Sequence, residues 1–336
     1  VDGGFPLLLA SEGAGGFGQS WQAAYPLLRG LGYWQVPLPL AETMVAGLLA
    51  SIAGLELPAG PATLVEQGRG NALTVNGNTV SGTAHSVPWA RHADAAVLSL
   101  ADGRLAVLPI KGAAGVQVQV HANVAGLPSD TLVLQGAQLS AAAANPLALA
   151  QPVWTLGAVA RSIMLVGALE SAVEQAVRYA GERVQFGKPI GKNQAIQQNL
   201  ALMAGDVAAA RTAALVAAAD APDSLARDTA ATHFSTAVAK VRRRSRHPWH
   251  QHRPPGARRH RLHARAFAAL RHQAPVGLAR RVRHRRPLGR RTGPRRHPCA
   301  RRRLLARHHP QTVLRAPTMS DESPDVQISF DGPVAT

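Results

Sequence analysis

Cysteine is nearly absent from this chain, which has one, Cys299, among its 336 residues. A single thiol excludes an internal disulfide framework and a zinc site built from several cysteines. No uninterrupted apolar run reaches about 18 residues, so we expect no membrane-spanning helix and no membrane partner. The first residues, Val-Asp-Gly-Gly, contain neither an initiator Met nor a basic leader. We interpret them as an internal start and expect an N-terminally truncated, cytoplasmic protein.

Acidic residues are missing from one long segment, and this decides how the net charge of +18 is interpreted. Residues 241–318 contain 24 Lys/Arg and ten His but no Asp or Glu. Residues 1–240 contain 13 Lys/Arg against 15 Asp/Glu, and residues 319–336 contain four acids and no base. The excess positive charge therefore belongs to a single segment and predicts no nucleic-acid partner for the chain as a whole.

The spacing of apolar residues changes twice before residue 241. Residues 1–57 show helical spacing interrupted by glycine, which predicts short N-terminal helices. Residues 58–145 contain short apolar segments with turn residues between them, which predicts a middle β domain. Residues 152–240 return to helical spacing, with a Gly- and Pro-containing break at 187–191 between two long helices. This order predicts an α+β chain.

A hairpin is the strongest local prediction in the β region. The sequence Asn76-Gly77-Asn78 favours a tight turn, because Asn-Gly tolerates positive φ at both turn positions. We expect its strands at 72–75 and 79–81, and further short strands at 95–100, 105–109, 116–120 and 131–134. Such short strands with closely spaced turns favour an antiparallel sheet.

One motif carries a family resemblance. Residues 178–190 read R-Y-A-G-E-R-V-Q-F-G-K-P-I, followed by Q-A-I-Q at 194–197 and L-A-L-M-A at 200–204. This gapless run resembles the acyl-CoA dehydrogenase family. The resemblance implies an acyl-CoA dehydrogenase-like fold with N-terminal helices, a middle antiparallel β domain and an incomplete C-terminal helical bundle. Residues 82–94 are similar to the family's flavin-contacting segment, with Ser86, Val87 and Pro88 where the family has W-I-T.

The resemblance also implies a cofactor, a reaction and partners. The family oxidises the Cα–Cβ bond of an acyl-CoA thioester by α-proton abstraction and β-hydride transfer to FAD. Its members form homo- or hetero-oligomers and pass electrons to an electron-transfer flavoprotein. The predicted cofactor-binding residues are Arg183, Phe186, Gln194, Ser86, Val87 and Pro88.

Each of these roles has an alternative. The family's arginine at the Arg183 position reaches the FAD pyrophosphate of a neighbouring subunit, a contact that suits a guanidinium. Without the surrounding motif, the simpler interpretation of Arg183 would be a solvated cation at a helix end. Phe186 would pack on the cofactor or in the core, and Gln194 would bind the cofactor or begin a helix. We assign no catalytic residue. We also assign no metal ligand, because His85, His92 and His121 lack metal-site spacing.

The basic segment has two interpretations. It is either an arginine-rich arm that binds nucleic acid or a stretch translated out of frame from GC-rich DNA. Back-translating residues 254–263 with permitted codons and shifting the frame by one base yields H-Q-V-H-G-A-I-G-F, which resembles the family's C-terminal glycine signature. We favour the frameshift. Residues 326–336 resemble the start of an enoyl-CoA hydratase, so 319–336 is interpreted as read-through into a neighbouring gene.

Two functions remain open from the sequence. The first is a flavin-dependent acyl-CoA dehydrogenase, or a subunit of one, impaired in this translation. The alternative is a basic-tailed nucleic-acid-binding or scaffold protein on a non-catalytic dehydrogenase core. The segment boundaries that we predict are 1–57, 58–145, 152–240, 241–318 and 319–336.

Overall fold

A computed structural model describes residues 4–68, 70–222 and 230–242 of the chain, and the side chains of residues 230, 241 and 242 are not described. The predictions for the basic segment after residue 242 and for residues 319–336 lie outside the described residues.

Five α-helices and ten strands are found among the described residues. The helices are α1 Trp21–Tyr33, α2 Leu40–Ile52, α3 Pro152–Glu182, α4 Gln194–Asp220 and α5 Ala230–Arg242. The strands are β1 Ala62–Glu66, β2 Ala72–Asn76, β3 Thr79–Pro88, β4 Ala95–Ser99, β5 Arg104–Pro109, β6 Val116–Gln119, β7 Ser129–Gln138, β8 Ala141–Ala144, β9 Val184–Gln185 and β10 Lys188–Pro189. The predicted α+β class is confirmed.

Two four-stranded sheets form the middle of the chain, one in the order β1-β4-β5-β8 and the other in the order β2-β3-β7-β6. All pairs in them are antiparallel except β1 with β4, which run parallel. The predicted sheet was antiparallel, so this one pair differs. The chain between β1 and β4 forms the β2–β3 hairpin of the other sheet, and β4 therefore returns beside β1 in the same direction.

The predicted hairpin is present with a shifted turn. Asn76 pairs with Thr79, so the two turn residues are Gly77 and Asn78, and Gly77 takes the positive φ of 59°. The prediction missed β1 and β8, and it placed the end of β3 seven residues too early, at 81 instead of 88. An all-alanine segment such as β8 carries no strand signal in its side chains.

The first sheet is apolar on both faces, and each face joins a different core. Leu64, Val97 and Val107 pack with α1, α2 and α3. The alternate residues Val65, Leu98 and Leu108 pack against the second sheet. Successive side chains on a strand point to opposite faces, so one sheet lies between a helical layer and a second sheet. This arrangement leaves the starts of α2 and α3 beside β1.

Two glycines allow α1 and α3 to cross closely. A Cβ added at Gly32 of α1 would lie 1.7 Å from the Met164 carbonyl oxygen, and one added at Gly167 of α3 would lie 2.0 Å from the Arg29 carbonyl oxygen. No side chain tolerates such distances, so both positions require glycine. The same crossing carries the Arg29–Glu170 ion pair at 2.5 Å.

The long helices α3 and α4 are joined by the short β9–β10 hairpin, and α5 packs against both. By length and composition alone both helices could cross a membrane. The most apolar part of α3 is 78% buried inside the protein, as in a core helix, whereas that of α4 is 22% buried. The predicted absence of a membrane partner stays a prediction.

Candidate functional site

A cavity of about 850 Å³ opens where α2, α3, β1 and β3 meet. Its volume lies within the range of about 300–1,000 Å³ that small-molecule sites occupy. The helical wall includes Val45, Val153, Gly157 and Ala160, and the sheet wall includes Leu64 and the end of β3. Gly157 has nothing within 4 Å of the position where a Cβ would stand, so the cavity reaches the backbone of α3.

The end of β3 presents an irregular backbone to this cavity. The register of β3 against β7 shifts between Ala84 and Val87, which places a β-bulge at the intervening residues. Ser86 in this bulge has a φ of 55°, a left-handed conformation that costs a non-glycine residue about 1–2 kcal/mol. Bulges and strained residues concentrate at binding sites. The predicted residues Ser86, Val87 and Pro88 all line the cavity.

A buried ion pair lies in the opposite wall. Glu42, in the first turn of α2, and Arg161, in α3, are 4% and 8% exposed, and Arg161 Nη2 donates to Glu42 Oε1. The second carboxylate oxygen, Oε2, is buried without a hydrogen-bond partner. Burial lowers the pKa of Arg161 to about 10, because it removes water from the guanidinium. Arg161 remains charged at neutral pH.

A second buried carboxylate closes the cavity at the start of α3. Glu66 is 5% exposed and its Oε2 accepts the Trp154 backbone N–H at 3.0 Å. This N–H lies in the first turn of α3, where helix donors lack partners within the helix. Neither Glu42 nor Glu66 was singled out from the sequence, and both are held by donors of α3.

The rim of the cavity is polar. His85 and His121 are exposed, and His85 Nδ1 lies 3.4 Å from Thr131 Oγ1. Asp130, which is fully buried behind the rim, accepts from the backbone N–H, Nε and Nη2 of Arg91 and from the His121 backbone N–H at 3.0 Å. Burial alone would raise the pKa of Asp130, but these donors outweigh burial and lower it.

The other three predicted cofactor residues do not line this cavity. Arg183 caps α3 and donates to Tyr179 Oη at 2.8 Å. Phe186, in the β9–β10 hairpin, is 100% exposed and has a φ of 53°. Gln194 begins α4 and is exposed. The structure therefore brings Ser86, Val87 and Pro88 together, and it places the remaining three on a separate exposed surface.

The cavity fits the ring of a flavin better than it fits the phosphates of FAD. The bulge offers backbone beside an open volume, which suits a planar ring. Among the described lining residues, Arg161 is the one Arg or Lys, and it is paired with Glu42. A pyrophosphate would need cations from outside this cavity. Within the described ranges, no group of three or more His, Cys, Asp or Glu could hold a metal ion.

Comparison with known proteins gives concordant results. Residues 148–245 match the model of the acyl-CoA dehydrogenase C-terminal domain. The chain is 30% identical over 223 residues to the acyl-CoA dehydrogenase FadE27 of Mycobacterium tuberculosis, covering 60% of each chain. It is 63% identical over 38 residues to the probable acyl-CoA dehydrogenase YdiO of Escherichia coli, which is 11% of this chain and 10% of that protein.

A solved structure shows the same fold over most of the chain. The ChsE4–ChsE5 complex of Mycobacterium tuberculosis matches with a TM-score of 0.66 and 24% identity, covering 84% of both chains. Residues 148–245 therefore carry the C-terminal domain of the acyl-CoA dehydrogenase family. The predicted family and fold are thus confirmed. The matched region spans 60% of the length of FadE27 and 10% of YdiO, so activity and partners are a matter of proposal.

Proposed function

We propose that this acyl-CoA dehydrogenase family chain is a flavin-dependent dehydrogenase subunit whose reaction takes place in the cavity between α2, α3, β1 and β3. The observation that carries the proposal is the strained bulge Ser86–Pro88 facing an open volume beneath α3. Bound FAD supplies the two-electron acceptor for oxidation of the Cα–Cβ bond of an acyl-CoA thioester. The α-proton leaves to a base and the β-hydrogen leaves with its electron pair.

The walls have different roles in this proposal. The bulge at Ser86 would hold the flavin ring, and the helical wall around Gly157 would receive the acyl group. Both described carboxylates of the wall are already bound to donors, Glu42 to Arg161 and Glu66 to the Trp154 N–H. For this reason we still assign no catalytic base.

The site is completed by a second subunit, in a homo- or hetero-oligomer. Phe186 is fully exposed in a strained conformation, so it gains no packing within its own chain. The apolar stretch of α4 is mostly exposed, with Leu202, Leu215 and Val216 each at least 40% accessible. Exposed apolar surface of this kind marks an interface. The same subunit contact would carry Arg183 to the cofactor phosphates of the partner.

The oligomer is tested by analytical ultracentrifugation of Phe186→Ser. Phe234→Ser is the matched control, because Phe234 is also an exposed phenylalanine, at 75%. We expect Phe186→Ser to weaken self-association, or association with an added partner subunit, and the control to leave it unchanged. Equal association of both variants and the wild type would contradict the role of the hairpin.

Flavin binding is tested by fluorescence titration of FAD into this chain and into a version with the reading frame restored near residue 241. We propose that the frame interruption impairs the chain, so the restored version should bind more tightly. Arg183→Ala in the restored version should weaken binding by about 1.5–3 kcal/mol, as for a charge-assisted contact. Equal affinity in both versions would refute the impairment, and absence of FAD binding in both would refute the proposed function.

The proposed setting follows from the same chemistry. A reduced flavin must be reoxidised before the next turnover, and an electron-transfer flavoprotein is the proposed acceptor. A cytoplasmic location and the absence of nucleic-acid and membrane partners remain part of the proposal. Stopped-flow reoxidation of the reduced protein by an added electron-transfer flavoprotein tests the acceptor, and the absence of any electron transfer would contradict it.

A further inference from the structure

One glycine in the wall of the cavity is required neither by its backbone nor by its neighbours. Gly157 lies past the first turn of α3, and its φ is not in the left-handed region that favours glycine. A Cβ added to it would meet nothing within 4 Å, whereas a Cβ added at Gly167 of the same helix would overlap the Arg29 carbonyl. Glycine destabilises the interior of a helix relative to alanine, so Gly157 needs an explanation other than packing.

The space beside Gly157 belongs to the cavity. Gly157 lines the cavity and is partly exposed, whereas Leu156 and Ala158 on either side of it are buried. A ligand in the cavity can therefore touch α3 at this glycine. A side chain at position 157 would occupy room that the ligand now has.

The apolar part of the helical wall around Gly157 consists of small side chains. They are Ala41 and Val45 of α2 and Val153 and Ala160 of α3. An unbranched methylene chain leaves unfilled space beside such a wall, and atoms that face a void lose their dispersion contacts. A branch or a ring fills the space and buries more apolar area. The shape of this wall therefore favours a wide apolar group.

We propose that Gly157 determines the substrate class of the cavity: the acyl group is branched or carries a ring, and its wide part lies against Gly157. This inference rests on the proposed function, because it takes the helical wall as the acyl site. It adds that acyl groups wider than a methylene chain are preferred over unbranched ones of the same carbon number.

The test compares matched ligands by isothermal titration calorimetry on the full chain, which needs no turnover. The ligands are octanoyl-CoA, the methylheptanoyl-CoA isomers and cyclohexylacetyl-CoA, which share one acyl carbon number. We expect at least one branched or cyclic ligand to bind about fourfold or more tightly than octanoyl-CoA, the gain from burying one further methylene-sized group. Octanoyl-CoA binding as tightly as every branched and cyclic ligand overturns the inference. Binding of no acyl-CoA at all overturns the proposed function with it.

Gly157→Val supplies the second measurement, because its side chain narrows the cavity at this point. We expect this variant to bind the preferred wide ligand about tenfold or more weakly than the wild type does, and to keep the wild-type affinity for octanoyl-CoA. Gly181→Val is the matched control, since Gly181 lies in the same helix, also meets nothing within 4 Å and does not line the cavity. The control should keep the wild-type preference, and an unchanged preference in Gly157→Val overturns the inference.

Gly157→Ala separates a role in ligand binding from a role in folding. If the glycine only makes room for a ligand, alanine should raise the thermal unfolding midpoint while it reduces the preference for the wide ligand in part. Gly181→Ala should raise the midpoint and leave the preference unchanged. A lowered midpoint in Gly157→Ala would show that packing of α3 requires this glycine, and it would overturn the inference.

Discussion

Removing one partner of the Glu42–Arg161 pair should destabilise the protein far more than replacing both. Arg161→Met leaves a buried carboxylate with neither water nor a cation, and breaking such a pair costs about 3–5 kcal/mol. Burial lowers the pKa of Arg161, because it removes water from the guanidinium. The double variant Glu42→Gln, Arg161→Met removes both charges and should recover most of the loss.

The Arg29–Glu170 pair provides the comparison for magnitude. It also joins a helix to α3, but its side chains are 37% and 11% exposed. Water and salt screen such a pair, so Arg29→Met should cost about 0.2–1 kcal/mol. Because the two pairs differ in exposure, losing Arg161 should cost several-fold more stability than losing Arg29.

The assay is urea unfolding followed by circular dichroism, with the free energy of unfolding compared among the wild type, both single arginine variants and the double variant. We expect a large loss of stability in Arg161→Met, a small loss in Arg29→Met and recovery in the double variant. A loss of stability below about 1 kcal/mol in Arg161→Met would contradict the cost that we assign to the unpaired Glu42 carboxylate. A double variant no more stable than Arg161→Met would contradict it as well.

Two further predictions concern the scaffold. The pKa of Asp130 is lowered in the folded state, so its contribution to stability is present above its unfolded pKa of about 3.9 and is lost as the pH falls through the folded value. Asp130→Asn should therefore lower the free energy of unfolding by about 1.5–3 kcal/mol at neutral pH. Urea titrations from pH 7 to 3 should show the difference in stability between this variant and the wild type shrinking as the pH falls. Gly32→Ala should lower the thermal unfolding midpoint, because its Cβ would overlap the Met164 carbonyl. The control Gly30→Ala, in the same helix, meets nothing within 4 Å and should raise the free energy of unfolding by about 0.5–1 kcal/mol. A calorimetric scan in which the midpoints of both variants shift alike would contradict the close crossing.

The sequence was informative where local signals were strong. The motif at residues 178–204 indicated the family, and the changes of spacing indicated helices, then sheets, then helices. The β2–β3 hairpin followed from Asn-Gly chemistry. These features depend on neighbours in the chain, which the sequence displays directly.

The remaining features depend on residues distant in sequence. The parallel β1–β4 pair depends on the chain leaving one sheet after β1, forming β2 and β3 in the other sheet, and returning as β4. The bulge in β3 depends on its pairing with β7. Glu42 and Arg161 are 119 residues apart, and the sequence analysis named neither. A signal for them existed, because each is the one charge in an apolar helical stretch, and two such isolated charges of opposite sign predict a buried pair. The role that we propose for the surface with Arg183, Phe186 and Gln194 depends on a second chain, which a single sequence does not show.

Filling the cavity tests most directly whether it is the acyl-CoA site. Gly157→Phe would project a ring from α3 into the cavity. The control Gly30→Phe adds the same ring to α1, at a position that does not line the cavity. At both positions an added Cβ meets nothing within 4 Å. Circular dichroism establishes that both variants fold, and calorimetric titration with acyl-CoA measures binding. We expect Gly30→Phe to bind acyl-CoA like the wild type and Gly157→Phe to lose about tenfold or more in affinity. Wild-type affinity in a folded Gly157→Phe variant would contradict it.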